Sequence, residues 1–210
     1  MLVAALTFIG TKTASAQSHN VLFTTNHGDF KVMLYDFTPN HRDMFLEAVR
    51  KGEYDQALFN RIIEHFVVQG GEHDIDIAKR EAADPTGLKP RLAPEFHERA
   101  FHKIGAMGAG RDDNPEKASF FNQLYFVVGK QPITEAELDA LERRKSMKFA
   151  SAQRAEYLKN GGLPRLDQDY VIFGEVVEGL EVLMRISRLA KDAQDFPLEP
   201  VRFSVKLMQE

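Results

Sequence analysis

The chain has no cysteine and no tryptophan among its 210 residues. Without Cys there is no disulfide scaffold, no thiolate nucleophile, no Cys-ligated zinc or iron–sulfur site and no lipidated cysteine anchor. A basic excess is missing too. The 27 Lys and Arg are outnumbered by 31 Asp and Glu, a net charge of −4. Nucleic acid is therefore not expected as a partner, because phosphate binding needs a net basic face. No apolar run reaches the roughly 18 residues that cross a bilayer, so no membrane span is expected. HExxH, GxSxG and P-loop signatures are also absent. Gly105-x-x-Gly108-x-Gly110 is followed by an Asp/Asn/Pro loop. With no helix N-terminus to hold phosphate, it reads as turn chemistry. Glu95, His97 and His102 lie close together, but two His five residues apart share a helical face poorly, and no metal is assigned.

What is present is an ordinary globular composition, 43% hydrophobic and 28% charged, enough for a sizeable core. Leu2 to Gly10 is a short apolar run, and Ala14-Ser15-Ala16 follows before Gln17. This reads as a secretory leader over residues 1–16, with a domain over 17–210, although no Lys or Arg precedes the apolar run as leaders usually have.

Val21–Thr25 and Phe30–Tyr35 are β-rich runs joined by Asn26-His27-Gly28-Asp29, a hairpin signature. Thr38-Pro39 opens a helix with Thr as N-cap, Phe45 and Ala48 mark its apolar face, and Gly52 closes it. Phe59 to Val68 reads as one or two strands ending at Gly70-Gly71. Residues 72–100 read as irregular, since Pro85, Pro90 and Pro94 oppose long regular elements. Ile104–Met107, Leu124–Val128 and Val171–Val177 are further strands, with a loop over Gly108–Ala118. Leu180, Leu183 and Ile186 have helical spacing, and Val201, Phe203, Val205 and Leu207 alternate as a last strand. The pattern is mainly β with two helices, most economically a closed barrel that leaves no sheet edge.

Residues 130–163 break that pattern. Thr134-x-x-Glu137 is a capping box, Leu138 and Leu141 continue the helix, and Gly161-Gly162 ends the segment. It reads as a helical insert projecting from the barrel, its surplus of Lys and Arg a solvated face.

The stretch from Phe59 to Gly71 sets Arg61 and Gln69 among Phe, Ile and Val. Apolar walls with a few placed donors make a binding site. The stretch also resembles the cyclophilin-type peptidyl-prolyl isomerase motif, Phe-x-Arg-Ile-Ile followed by Phe-x-x-Gln-Gly-Gly. The family's other motifs are matched in order by Gly28-Asp29-Phe30, Gly52-Glu53-Tyr54-Asp55, Gly105-Ala106-Met107-Gly108, Asn122-Gln123-Leu124-Tyr125, and Leu166-Asp167 with Tyr170 and Phe173-Gly174.

The resemblance implies an eight-stranded cyclophilin-like barrel, capped by two helices, that isomerises Xaa-Pro bonds in folding protein clients. Carried over position by position, it implies catalytic Arg61 and Gln69. Phe66, Val67, Met107, Gly108, Gln123, Tyr125, Leu166 and Tyr170 would contact substrate. It implies proline-containing and unfolded polypeptides as partners, no metal and no cofactor. A monomer is expected, in the periplasm or otherwise exported, with the cytoplasm as the alternative.

Several positions depart from the family. Val67 replaces a usual Met, Gly108 an Ala, and Leu124 a Phe, while Tyr170 stands where many members have His. Arg165 stands where the best-known members carry Trp, so weak cyclosporin binding is expected. A second reading is a non-enzymatic proline-segment binder or chaperone working through the insert.

Overall fold

A computed structural model describes residues 19–129 and 132–208. The leader at residues 1–16 and Lys130 lie outside the described residues. Eight strands close into an antiparallel barrel: β1 (His19–Thr25), β2 (Gly28–Leu34), β3 (Ala57–Ile62), β4 (Val67–Gly71), β5 (Ala106–Ala109), β6 (Gln123–Val127), β7 (Ile172–Glu178) and β8 (Val201–Leu207). Their order around the barrel is β1-β2-β7-β5-β6-β4-β3-β8. Closure pairs every strand on both sides, which removes the exposed edges an open sheet would present.

The barrel is filled by its own side chains. Phe23, Phe30, Phe59, Phe126 and Phe203 are all fully buried inside it. Phe126 meets Phe23 and Phe30 edge-on, with interplanar angles of 87° in both pairs. Such contacts add to the area they bury. A packed interior leaves no room for a ligand, so any site must lie outside.

Helices α1 (Pro39–Arg50) and α5 (Leu180–Ile186) add Phe45, Leu46, Val182, Leu183 and Ile186 to this core. Thr38 is the N-cap residue of α1, as expected, but its side chain makes no cap hydrogen bond. Glu95 supplies the cap from the distant loop. Its carboxylate accepts from the Asn40 and His41 backbone N–H groups at 3.0 and 2.8 Å. It also accepts from His41 Nδ1 at 2.6 Å, while Ser119 Oγ lies 3.1 Å from His41 Nε2. Thus Glu95 and His102 serve different partners, and the three-residue sequence cluster is not one site.

Burial holds His41 below its ordinary value of 6.5, outweighing the pull of Glu95. The pair is therefore a neutral imidazole donating to a carboxylate. Glu95 itself is lowered: desolvation raises it, but the His41 ring and the two backbone N–H donors outweigh that cost. Both groups take up protons more readily in the unfolded chain. Their stabilisation is complete above about pH 6.5; the His41 share is lost as pH falls from 6.5 through its lowered value, and the Glu95 share as pH falls from 4.5 through its own. The melting temperature is expected to drop between pH 7.5 and 5.5, with a shallower slope in His41→Gln. An identical slope in both would show that His41 is not the titrating group.

One helix escaped the sequence reading. Helix α2 (Asp74–Ala83) sits in the segment expected to be irregular. It ends just before Pro85, so the prolines limit it without forbidding it. His73 Nδ1 caps the Ile75 N–H, Asp74 and Asp76 lie in the first turn and Arg80 in the last, all favourable to the helix dipole. Ile77 is its only buried residue, which is why no apolar stripe announced it.

The insert folds as α3 (Glu135–Lys145) and α4 (Ser151–Asn160), and the Thr134/Glu137 capping box forms. It is not a solvated excursion. Ile133, Leu138, Phe149 and Tyr157 form a small core of their own, with Phe101 packed against it. Half of its described cations are engaged: Arg154 pairs with Glu135, Asp139 and Glu142, Lys148 with Glu142, and Lys145 with Asp169, while Arg143, Arg144 and Lys159 stay exposed, as expected of a solvated face.

Candidate active site

Strands β3 and β4 and the short connection between them carry the Arg/Gln motif. Arg61 pairs with Gln69 across the β3–β4 ladder, and a register shift between Phe59 and Arg61 bends the strand there. Phe66 lies in the connecting turn, where His65 takes the left-handed conformation at φ 60°. Strands β4 and β6 place Gln69 opposite Tyr125. These elements, the start of α2 and the 3-10 turn Pro164–Leu166 enclose a cavity of about 430 Å³ on the outer face of the barrel. Of the expected site residues, Arg61, Phe66, Val67, Gln69, Gln123, Tyr125, Leu166 and Tyr170 all line it.

Two expected residues do not. Met107 is fully buried and belongs to the barrel interior. Side chains alternate along a strand, and β5 turns this one inward. Gly108 lies in β5, not in the loop expected from the sequence, and pairs with Tyr125. A Cβ there would stand 2.3 Å from Tyr125 Cζ and 2.4 Å from its hydroxyl. Gly108 therefore does not enlarge or shrink the pocket wall by itself: the Tyr125 ring fills the place a methyl group would take. Gly108→Ala should cost about 1–3 kcal/mol by overpacking and lower both the melting temperature and activity. An unchanged melt would show that the ring moves aside freely.

The polar groups divide into tethered and available. Arg61 is 38% exposed, its Nε 4.0 Å from Asp195 Oδ2, and its guanidinium carbon lies 5.9 Å from the Phe66 ring centroid. Gln69 is 9% exposed, and its amide has no hydrogen-bond partner among the described residues. Gln123 is tethered: its Nε2 donates to Glu72 O at 3.1 Å and Asp74 Oδ1 at 2.6 Å. Gly110 has no side chain because Gln123 Oε1 would lie 1.9 Å from its Cβ.

A larger cavity, about 580 Å³, lies between residues 96–100 and the insert. It lacks the convergence of an exposed guanidinium, a free amide and apolar walls.

Comparison with known proteins gives one family. Residues 20–206 match the model of the cyclophilin type peptidyl-prolyl cis-trans isomerases. The chain belongs to this family.

A Staphylococcus haemolyticus protein named for peptidyl-prolyl cis-trans isomerase activity is 30% identical over 185 residues, covering 86% of each chain. A Streptococcus pyogenes protein named as a bifunctional phosphatase and peptidyl-prolyl cis-trans isomerase is 31% identical over 195 residues; the match covers 86% of this chain but only 37% of that protein. The crystal structure of a Cryptosporidium parvum cyclophilin superposes with a TM-score of 0.62 at 19% identity, covering 92% of this chain and 99% of the other.

Four lining residues of this cyclophilin were not assigned to the site from the sequence: Asp74, Gly110, Arg111 and Arg165. Asp74 and Arg111 belong to segments read as irregular or loop, where only the fold reveals proximity. Arg111 donates to Asp169 O at 2.6 Å and stacks 4.8 Å from the Tyr170 ring. Arg165, at the family's Trp position, lies over Phe66 at 4.6 Å. Two guanidinium groups thus lie over the Phe66 ring, a cation–π arrangement that engages its face.

Below the cavity floor runs a buried chain of hydrogen bonds that no motif announced. Burial pushes the Tyr125 and Tyr157 hydroxyls well above their ordinary value, so both stay protonated. His102 Nδ1 donates to Asp167 Oδ1 at 2.6 Å, and His102 Nε2 lies 2.7 Å from the Tyr125 hydroxyl. Asp167 Oδ1 also accepts the His102 backbone N–H at 2.9 Å, and Tyr157 donates to Asp167 Oδ2 at 2.6 Å. Tyr157 comes from helix α4 of the insert. The insert is thereby joined to Tyr125, and its removal would leave Asp167 short of a donor.

Proposed function

We propose that this isomerase accelerates Xaa-Pro rotation through Arg61, with the proline ring held against Phe66, Val67, Tyr125 and Leu166. The supporting observation is the half-exposed Arg61 guanidinium beside an apolar cavity that also offers the unpartnered Gln69 amide. Amide rotation is slow, with a barrier of about 18–20 kcal/mol, because resonance must be broken. As the C–N bond twists, the prolyl nitrogen loses conjugation and regains a lone pair. A guanidinium that reaches this nitrogen binds the twisted state more strongly than either planar one, which is the condition for catalysis. Gln69 holds the substrate carbonyl. No proton leaves or enters the substrate.

Acceleration of a short Xaa-Pro peptide above its spontaneous rate by the purified protein tests the activity directly; a rate equal to the spontaneous one would overturn it. The clients are exported polypeptides, and the enzyme acts as a monomer beyond the inner membrane of a bacterium. A mature N-terminus at Gln17 in the periplasmic fraction is the expected result, and a cytoplasmic protein retaining Met1 would refute it. Cyclosporin binds weakly, because Arg165 offers no indole N–H at the family's Trp position. Arg165→Trp should lower the inhibitory concentration by about tenfold or more, an effect of about 1.4 kcal/mol; no change would remove that explanation.

A further inference from the structure

The active-site cavity has a neighbour. Where α3 packs beside the 3-10 turn, Ile133, Leu141, Leu163 and Pro164 wall a groove of about 310 Å³. Arg165 lines both this groove and the catalytic cavity, so the two lie on either side of a single side chain. Arg144 and Arg165 are exposed at its rim. The groove's acid, Glu137, has its carboxylate engaged in the helix cap, accepting from Thr134 N and Oγ1 at 2.8 and 3.0 Å. The opening is therefore apolar inside and positive at the edge.

We infer that this groove is a second subsite for the client polypeptide, taking an apolar side chain near the isomerised proline, with a carboxylate preferred next to it. The inference rests on the isomerase reading of the adjacent cavity. A pocket that holds one proline ring leaves the flanking residues lying across the surface. An extended chain advances about 3.3 Å per residue, so crossing one arginine side chain takes roughly one to three residues. Those residues meet the groove on the side of Arg165. An apolar side chain there is removed from water between Ile133, Leu141 and Leu163, and an adjacent carboxylate meets Arg144 or Arg165. The insert thus provides selectivity for client sequence rather than a separate chaperone surface.

The test uses end-labelled peptides with one proline in an all-alanine frame, and Leu placed at each position up to three residues on either side. Both kcat/KM and the dissociation constant (from anisotropy) are measured. The wild type should prefer Leu over Ala at one position by about tenfold, the order expected for burying a leucine side chain. An Asp beside that Leu should add a further gain that disappears in Arg144→Glu. Ala140 is exposed on α3 and borders the groove, so Ala140→Trp fills it with little strain on the fold. The readout is the Leu-to-Ala ratio within each variant, which a general loss of activity does not move, and it should fall towards one in Ala140→Trp.

A ratio near one at every position in the wild type, or an unchanged ratio in Ala140→Trp, would overturn the subsite. A dimer dissociated by Ala140→Trp, with no peptide preference, would overturn it in favour of a second copy of the chain. Failure to accelerate any peptide would count against the isomerase reading alone, since the ratio of dissociation constants still decides the groove.

Discussion

Arg61→Ala is expected to lower kcat/KM on a short Xaa-Pro peptide by about 10²–10³-fold, or about 2.7–4 kcal/mol, the usual cost of removing one placed donor to developing charge. The loss should fall mainly on kcat, because the interaction is made with the twisted state and not with the planar substrate. Stability should hardly change. Arg61 is 38% exposed, and its acidic neighbour Asp195 stands 4.0 Å away, so the fold gains little from this contact. Arg61→Lys keeps the charge but loses the planar fork of donors, and should recover only part of the rate. Peptide kinetics and thermal melts on the three proteins decide the matter. Equal rates for wild type and Arg61→Ala would sink the assignment, and a raised KM with kcat unchanged would reassign Arg61 to ground-state binding.

The second large effect concerns the chain beneath the pocket. Asp167→Ala removes the acceptor of three donors at once: the His102 backbone N–H, His102 Nδ1–H and the Tyr157 hydroxyl. Each is buried, and a buried donor left without a partner costs about 1–3 kcal/mol. A total of about 3–5 kcal/mol is expected once the site relaxes, the range for breaking a buried charged network. For a chain of this size that corresponds to roughly 6–20 °C in melting temperature. Tyr157→Phe is the milder probe, since it deletes only one donor. It should cost about 1 kcal/mol and weaken activity through the freedom it gives Asp167, His102 and then Tyr125. In a Tyr125→Phe background, where the link to the pocket is already cut, Tyr157→Phe should cost stability but no further activity. An equal loss of activity in both backgrounds would mean that the chain does not reach the pocket.

The same network bears on the insert. Its chain segment reads as charged and helical, and taken alone suggests an appendage. Once folded, Tyr157 carries the insert into the interior of the site, and Arg154 and Lys148 are consumed in ion pairs with the insert's own acids. Deleting residues 130–163 is therefore not a neutral operation on the barrel. The point substitutions at Ala140 and Tyr157 separate its roles more cleanly.

The sequence by itself determined the parts whose signals are local. Period-two alternation in Val201–Leu207 marks β8, Thr134 and Glu137 mark the start of α3, and the Phe59–Gly71 stretch places Arg61, Phe66 and Gln69 with their spacing intact. These rest on one strand, one helix turn or one ladder, and they survive folding unchanged. The tertiary structure decided what depends on distant partners. Met107 turned inward because strand pleat, not motif membership, sets its direction. Thr38 yielded the α1 cap to Glu95, and Gly108 proved to be the space into which the Tyr125 ring fits. Most of all, His102, Asp167 and Tyr157 became one hydrogen-bonded chain under the active site. Such contacts join residues far apart in the sequence, and their energies exist only once burial removes water from around them. The missing Cys excluded thiol chemistry before any folding, whereas the missing Trp took on meaning only when Arg165 was found lying on Phe66 at the edge of two adjoining cavities.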